Sequence, residues 1–166
     1  MKPLDHLRQL IRDDLKRKHP NVPEHALAVN TFDNAKPEKR EKKRIEKFLE
    51  LMPQCTGAII ENRGQRIDRR KINIDAAGFV REIGSVEWIG SGMKRGISDL
   101  KAVIQGKAVD IELKRRYKKG KDSQSEHQKA EEVRITEAGG IYMIVESFND
   151  FYEKFYEIYT PADSDQ

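Results

Sequence analysis

Asp99, Glu112 and Lys114 are the residues of this sequence whose types and spacing could together perform chemistry. They flank the twelve residues 100–111, which read as one tight β-hairpin. Carboxylates are the ligands that hard divalent cations prefer in proteins. A lysine two residues beyond one carboxylate could orient a metal-bound water or stabilise developing charge. Metal binding and water activation by these residues therefore require that the hairpin bring the three side chains together.

The expected turn of this hairpin is Gln105-Gly106, a pair typical of two-residue connections. Such a turn pairs Ile104 with Lys107, and counting back along both strands places Asp99 opposite Glu112. Because successive side chains of a strand alternate between its two faces, Asp99, Glu112 and Lys114 share one face. The other face is apolar and carries Leu100, Ala102, Ile104, Val109, Ile111 and Leu113.

This register carries an electrostatic cost. Carboxylates on directly opposite residues have Cβ atoms roughly 4.5–5.5 Å apart, and like charges at that separation destabilise a strand pair. A divalent cation such as Mg²⁺ removes the repulsion. The alternative is that all these charges form a solvated sheet face with no chemistry, and hairpin geometry alone does not decide between the two. Asp110 lies on the same face but opposite Lys101, which predicts an ordinary cross-strand ion pair.

The spacing of Asp99, Glu112 and Lys114 resembles the core of the PD-(D/E)xK nuclease superfamily. More narrowly, residues 36–156 resemble the virus-type replication–repair nuclease (VRR-NUC) family, because several separate segments agree in order and spacing. In one departure from the superfamily pattern, Ser98 rather than proline precedes Asp99. The matching segments are residues 81–89, 95–99, 109–114, 121–129, 138–142 and 147–152.

The resemblance implies an α/β fold: a restriction-endonuclease-like (PD-(D/E)xK) core, with a mixed β-sheet flanked by helices and an N-terminal helical extension. It implies that Asp99, Glu112 and the backbone carbonyl of Leu113 hold Mg²⁺, with Mn²⁺ as a substitute, and that Lys114 aligns or activates the attacking water. Gln128 matches the fourth motif of the family and is counted among the catalytic residues. Gln128 also completes a Ser125-x-x-Gln capping box, which gives it a purely structural alternative.

Further residues are candidates for DNA contacts. Arg63, with Gly64, resembles a family turn, and Arg95 stands just before Gly96, where glycine lets the backbone bend into the strand that bears Asp99. Lys118, Lys119 and Lys121 follow Lys114 in a loop suited to gripping phosphates. Some members of the superfamily take another carboxylate from the first core helix, but we interpret Glu46 and Glu50 as ordinary solvated glutamates.

The charge distribution favours a polyanionic partner. The chain of 166 residues has a net charge of +4, yet residues 36–71 contain twelve Lys/Arg against six Asp/Glu, and six of the eight residues 114–121 are basic. Basic stripes beside a carboxylate pair suggest nucleic acid, since phosphates dominate its affinity for proteins. The alternative is that these runs are only solvated surface.

Composition restricts the setting further. The chain is 37% hydrophobic and 36% charged, about one domain long, and has no stretch resembling a membrane span or a signal peptide. A single cysteine, Cys55, suits a reducing compartment. Composition therefore favours a cytoplasmic protein without membrane contact. With the family resemblance, we expect it in a bacterial or phage-infected cell, with duplex or branched DNA as its partner, and a homodimer is a further alternative.

We expect three parts: an N-terminal helical extension and loop over 1–36, a nuclease domain over 37–160 that the resemblance to the VRR-NUC family implies, and a polar tail over 161–166. The extension contains a helix ending near Lys18. Five aromatic residues recur at helical spacing in the last helix and are expected to pack in the core, namely Phe148, Phe151, Tyr152, Phe155 and Tyr159. The further expected elements are helices over 38–52, 126–138 and from 148, and strands over 57–62, 71–74, 79–83, 86–89, 99–104, 107–114 and 141–145.

The favoured function is a Mg²⁺-dependent nuclease that hydrolyses phosphodiester bonds in DNA, in its narrower form a structure-selective endonuclease of phage or repair and recombination systems. One alternative is a catalytically inactive nucleic-acid-binding module on the same fold. A second alternative is a protein-interaction domain whose partner face is Leu7, Ile11 and Leu15. Fold alone cannot decide between them, because function resides in the site.

Overall fold

The computed structural model describes residues 1–60, 65–74, 78–89, 92, 96–114 and 124–160. The chain divides into two units, Met1–Ile60 with Gly96–Gln166, and Glu61–Arg95. The helices are α1 (Pro3–Lys18), α2 (Pro37–Leu51), α3 (Glu126–Glu137) and α4 (Phe148–Ile158), with a short 3₁₀ helix over Glu24–Ala26. The strands are β1 (Cys55–Ile59), β2 (Gln65–Asp68), β3 (Lys71–Ile74), β4 (Val80–Ile83), β5 (Val86–Ile89), β6 (Leu100–Ile104), β7 (Lys107–Leu113) and β8 (Ile141–Val145).

The first unit is built on a mixed four-stranded sheet in the order β1-β6-β7-β8. β1 and β7 both run antiparallel to β6, which lies between them, whereas β8 runs parallel to β7. A parallel pair needs a crossover connection, and α3 lies within the connection from β7 to β8. The structure thus confirms a mixed α/β fold with helices flanking a mixed sheet.

The hydrophobic core lies between the apolar face of this sheet and α1, α2 and α4. Phe48 of α2 is fully buried at its centre, and its ring lies 5.7, 6.1 and 5.1 Å from those of Phe148, Phe151 and Phe155. Edge-to-face contacts at such distances add to the free energy gained by burial. The expectation that the aromatic residues of the last helix pack in the core is confirmed.

Helix α1 packs into the same core. Leu7 and Ile11 are buried, and Leu15 packs against the buried cluster as a partly exposed neighbour. The hypothesis that Leu7, Ile11 and Leu15 form a surface for a protein partner is therefore wrong, because these side chains pack in the chain's own core. The part boundaries expected at residues 36 and 160 stay predictions.

Local sequence explains how α2 meets the sheet. Pro37 occupies the first turn of the helix, where its missing N–H costs nothing, and Pro53 stands just after the helix end. Gly57 of β1 faces Leu49, and a Cβ at this glycine would lie 2.6 Å from Leu49 Cδ1. Glycine therefore allows helix and strand to approach closely. Among the described residues, no helix combines the length and the apolar character needed to cross a membrane.

The strands described in the second unit form a two-stranded ribbon. β2 pairs with β5, and β3 pairs with β4, both antiparallel. Gln65 pairs with Ile89 and Ile74 pairs with Val80, so one unbroken register runs through both pairs. An Arg69 N–H bond to the Ser85 carbonyl, 3.1 Å long, continues the ladder between them. We call residues 65–74 and 78–89 together the ribbon.

Most elements agree with the sequence expectations. The expected spans of β3, β5 and β8 are those observed. β6 begins one residue later than expected, and the helices differ by at most one residue at their expected ends. Two differences stand out: β1 lies two to three residues earlier than expected, and β2 was not expected. β2 contains Arg66, Asp68 and one apolar residue, Ile67, a composition that gives little strand signal without its partner β5.

Candidate active site

The hairpin that carries the candidate site has the expected register. Ile104 pairs with Lys107 and Leu100 pairs with Ile111, so the next position back places Asp99 opposite Glu112. The turn residues Gln105 and Gly106 have φ values of 47° and 80°. Positive φ at both central residues is the signature of the tight turn that fits the twist of two strands. Local turn chemistry thus fixes which residue faces Glu112.

The segment leading into Asp99 is held at two points. Gly96 has a φ of 88°, and a Cβ there would lie 2.5 Å from the His127 carbonyl oxygen, so only glycine fits without displacement. The buried Ser98 hydroxyl lies 2.9 Å from Asp110 Oδ2, to which it donates. Lys101 forms the expected ion pair with Asp110 at 2.6 Å. Ser98 therefore ties the approach to Asp99 onto β7.

The Asp99 carboxylate accepts bonds on both oxygens. The Leu113 N–H donates to Oδ2 at 3.0 Å, and Lys42 Nζ donates to Oδ1 at 2.6 Å. Lys42 comes from α2 and its side chain is only 15% exposed. Sequence reasoning did not select it, although it stands one helical turn before Glu46. Leu113 contacts Asp99 through its amide, and its carbonyl as a metal ligand stays a prediction.

Lys42 is a well-anchored cation. Burial by itself lowers its pKa, but hydrogen bonds and charges from Asp99 and then Glu38 outweigh burial and raise the pKa above its ordinary value. Glu38 lies 3.0 Å from Lys42 Nζ one turn earlier in α2. The ammonium group thus supplies a fixed positive charge against Asp99 Oδ1.

Glu112 lies deeper, at 5% exposure, and its contacts fall on Oε1. Lys114 Nζ is 3.2 Å from that oxygen, Gln128 Nε2 donates to it, and Lys114 Nζ also donates to Gln128 Oε1 at 2.9 Å. Burial, and next the charge of Asp99, raise the pKa of Glu112 despite these donors. The structure therefore brings Asp99, Glu112, Lys114 and Gln128 together, with the two carboxylates close enough to repel.

Gln128 caps helix α3 and also contacts the candidate site, whereas its catalytic role stays a prediction. Ser125 Oγ accepts from the Gln128 N–H at 3.3 Å, and Gln128 Oε1 accepts from the Ser125 N–H at 3.0 Å, which completes the capping box. The same amide group bridges Lys114 and Glu112. The helix cap consequently fixes the orientation of the Gln128 side chain toward the site.

The two helix carboxylates differ from each other. Glu50 is exposed and pairs with Lys47 at 3.0 Å, which agrees with its interpretation as a solvated residue. Glu46 is half-buried and accepts a 3.1 Å bond from the Ile59 N–H, so its interpretation as an ordinary solvated glutamate is wrong. The Ile60 N–H bonds the Asp99 carbonyl, so the Ile59 N–H points the other way, to the open edge of β1. Glu46 therefore satisfies an edge amide that a strand end would otherwise leave unpaired.

Tyr142 of β8 extends the polar surroundings of the site. It pairs with Asp110 across the parallel ladder, on the sheet face that also carries Glu112. Burial, and next the charge of Glu112, raise the pKa of its hydroxyl. The phenol is therefore a neutral neighbour of the carboxylates and gives them no counter-charge.

The donor set fits a weakly coordinated divalent cation. No cluster of three or more Asp, Glu, His or Cys residues suited to a metal is found among the described residues. Mg²⁺ requires less, because it is commonly held by one or two carboxylates together with waters and substrate phosphates. Within the described part of the chain, the contacts of Glu112 fall on Oε1 and leave Oε2 free, so one oxygen of the pair is available to a cation.

The five predicted nucleic-acid contacts lie outside the described residues. They are Arg63, Arg95, Lys118, Lys119 and Lys121. Gly96, which neighbours Arg95, is described and has the positive φ that its expected bend requires. The direct DNA contacts thus stay predictions from sequence.

Comparison with protein-family models, with curated proteins and with solved structures gives no match for this chain.

Proposed function

We propose that this protein is a metal-dependent nuclease that hydrolyses phosphodiester bonds in DNA, with a restriction-endonuclease-like core and a sequence resemblance to the VRR-NUC family. The observation that carries the proposal is the convergence of Asp99, Glu112, Lys114 and Gln128 at the ends of β6, β7 and α3. The order of a helix, three antiparallel strands, a crossover helix and a parallel strand supports the proposed core. Cytoplasm of a bacterial or phage-infected cell is the setting that we propose for it.

Asp99 and Glu112 would hold Mg²⁺, for which Mn²⁺ would substitute. When bound, the ion supplies Lewis acidity toward a phosphoryl oxygen and acidifies bound water. Glu112 would offer Oε2, since Oε1 already accepts from Lys114 and Gln128. Asp99 would offer Oδ1, the oxygen that Lys42 contacts, while Oδ2 accepts from the Leu113 N–H.

Lys114 is the residue that we assign to the attacking water. Its ammonium group has three N–H donors, of which two are directed to Glu112 Oε1 and Gln128 Oε1. Among the described residues the third donor has no assigned acceptor and can hold a water or a phosphate oxygen. Its side chain is 17% exposed, so it is oriented by the protein and yet reachable by substrate.

The alternative is a catalytically inactive nucleic-acid-binding module, and one observation favours it. Lys42 and Lys114 match Asp99 and Glu112 one to one, at 2.6 and 3.2 Å, so the four charges can be viewed as a closed ion-pair network. Against full closure, Glu112 Oε2 has no contact within the described part of the chain, so one oxygen of the carboxylate pair remains open to a cation.

A cleavage assay separates the two functions. Linear, nicked, flapped and four-way DNAs are incubated with the protein in Mg²⁺, in Mn²⁺ and in EDTA. We expect divalent-dependent cutting that is lost in Asp99→Ala, Glu112→Gln and Lys114→Ala. Glu50→Gln is the matched control, because Glu50 is an exposed carboxylate on α2 away from these contacts. Cutting of equal rate by parent and Glu112→Gln would point to a contaminating enzyme and sink the proposal.

A further inference from the structure

The ribbon has two chemically different faces. Its single register pairs residues whose numbers are both odd or both even, so odd-numbered side chains share one face and even-numbered ones the other. Ion pairs follow this division: Arg69 contacts Glu87 at 3.2 Å on the odd face, and Arg70 contacts Glu82 at 3.3 Å on the even face. We call these surfaces the odd face and the even face.

The odd face is basic. Among the described residues its charges are Arg69, Lys71 and Arg81 against a single acid, Glu87. All four residues are exposed. Asn73 and Ser85 add exposed hydrogen-bonding groups between them. A surplus of two positive charges on one side of a narrow ribbon is a footprint that suits a polyanion.

The even face is electrically balanced. Arg70 lies 2.6 Å from Asp68, and Arg66 lies 3.7 Å from the same carboxylate, so its two arginines are offset by Asp68 and Glu82. The rest of this face is apolar, and its large exposed members are Ile72, Ile74, Val80 and Trp88. Such a surface offers little to phosphate groups.

The shape of the ribbon also fits duplex DNA. A two-stranded antiparallel ribbon is one of the two elements that the major groove admits. From Gln65 to Ile74 the ribbon spans about 30 Å, which is close to one helical turn of a duplex. The odd face also carries the exposed apolar side chains Phe79, Ile83 and Ile89, so the two faces differ in charge and not in apolar content.

We propose that the odd face of the ribbon is a DNA-contact surface, on which Arg69, Lys71 and Arg81 bind phosphates of duplex DNA. This inference rests on the proposed function, because it takes a nucleic acid as the protein's substrate. It adds a second contact region to the loop after Lys114, and it assigns sequence-independent affinity to the ribbon rather than to the catalytic residues.

A pair of charge reversals tests the proposal. Lys71→Glu changes the odd face, and Arg66→Glu is the matched control on the even face. Both residues are exposed, so circular dichroism and a thermal melt check that each variant keeps the parental fold. Affinity for a fluorescent 20-bp duplex is measured by anisotropy in EDTA at several salt concentrations.

We expect Lys71→Glu to weaken binding at least about eightfold at 0.1 M salt and to lower the salt slope by about 0.9, the value for one lost phosphate contact. Lys71→Arg should restore binding, whereas Arg66→Glu should stay within about twofold of the parent. Equal affinity and slope for parent and Lys71→Glu would overturn the proposal, as would failure of the parent to bind duplex.

Trp88 gives a second readout, because it is the single tryptophan of the chain and lies on the even face at 71% exposure. With DNA on the odd face, acrylamide should quench Trp88 equally well before and after binding. If Trp88 instead becomes protected as protein concentration rises without DNA, and Lys71→Glu binds like the parent, the ribbon joins two copies of the chain and the proposal falls.

A cleavage assay in Mg²⁺ with the same proteins distinguishes failure of the ribbon proposal from failure of the nuclease proposal. Lys71-dependent binding by a parent that does not cut would leave the ribbon surface standing and remove the nuclease. Cutting by the parent that is unchanged in Lys71→Glu, together with unchanged affinity, would leave the nuclease standing and remove the ribbon surface.

Discussion

Lys42 of α2 and Asp99 before β6 stand 57 residues apart in the chain, yet Lys42 Nζ donates a 2.6 Å hydrogen bond to Asp99 Oδ1. The ammonium group therefore lies on the oxygen that a divalent cation would take. It holds Asp99 in place and at the same time opposes cation binding by its charge. This double effect leads to the first prediction.

Lys42→Met should raise the affinity of the site for Mn²⁺ on the order of tenfold, because one positive charge next to Asp99 is removed from a half-buried site. The measurement is calorimetric titration with Mn²⁺ at constant ionic strength. Lys47→Met is the matched control, because Lys47 lies on the same helix and pairs with the exposed Glu50. An affinity equal to that of the parent would show that Lys42 does not compete for Asp99.

Glu112→Gln should be at least as stable as the parent at neutral pH without metal. The folded-state pKa of Glu112 is raised, so its stabilising contribution is complete below the ordinary value of 4.5 and is lost as pH rises through the raised pKa. Each unit of that rise costs the parent about 1.4 kcal/mol at higher pH. The stability of the parent relative to Glu112→Gln should therefore fall from pH 4.5 upward, as followed by urea unfolding in EDTA.

Bound metal should make the parent more stable than Glu112→Gln. Addition of Mg²⁺ should raise the melting temperature of the parent and leave that of Glu112→Gln nearly unchanged, because a ligand stabilises only the folded state that binds it. A parent that gains nothing from Mg²⁺ or Mn²⁺ would contradict the assignment of Glu112 as a metal ligand.

Ser125→Ala and Gln128→Ala should separate the helix cap from the site. Ser125→Ala removes the N-cap of α3 and should cost about 1 kcal/mol of stability, with DNA cleavage per folded molecule unchanged. Gln128→Ala removes part of the same cap and also the bonds to Lys114 and Glu112. It should lower kcat at least about tenfold with a smaller change in KM, since Lys114 loses one of its two orienting partners. Equal kcat in both variants would mean that Gln128 only caps the helix.

Gly96→Ala should destabilise the protein more than Gly106→Ala. Both glycines have positive φ, at 88° and 80°, so both substitutions carry a strain of about 1 kcal/mol. Only at Gly96 does the new Cβ meet backbone, the His127 carbonyl oxygen at 2.5 Å, whereas space around Gly106 is open. Urea unfolding should show an additional loss of about 1–3 kcal/mol for Gly96→Ala. Equal losses would mean that the segment before Asp99 relaxes without cost.

Lys118→Ala/Lys119→Ala should weaken DNA binding uniformly across sequences and lower the salt slope by up to about two. Affinity for Mn²⁺ should hardly change, since neither residue is an assigned metal ligand. The same anisotropy series used for the ribbon supplies the measurement. A parental slope in this double variant would mean that the basic run after Lys114 is solvated surface.

The sequence by itself determined the hairpin and its register. A two-residue turn and the strict alternation of apolar and charged residues leave one register that buries Leu100 and Ile111, and that register places Asp99 opposite Glu112. The helices were determined in the same local way, by apolar periodicity, by Pro37 and by the cap at Ser125. Local rules suffice here because a competing register would expose the apolar side chains that the observed register buries.

Only the tertiary structure decided which residues surround that carboxylate pair. Lys42 reaches Asp99, Glu46 satisfies the Ile59 amide and Ser98 bonds Asp110, and these contacts depend on how α2, β1 and the chain before β6 pack around the hairpin. Alternation and helix periodicity indicate which face of an element is buried, but they do not encode the distance between polar groups on different elements. Helix packing on the sheet sets that distance, so it determines the charge balance of the candidate site.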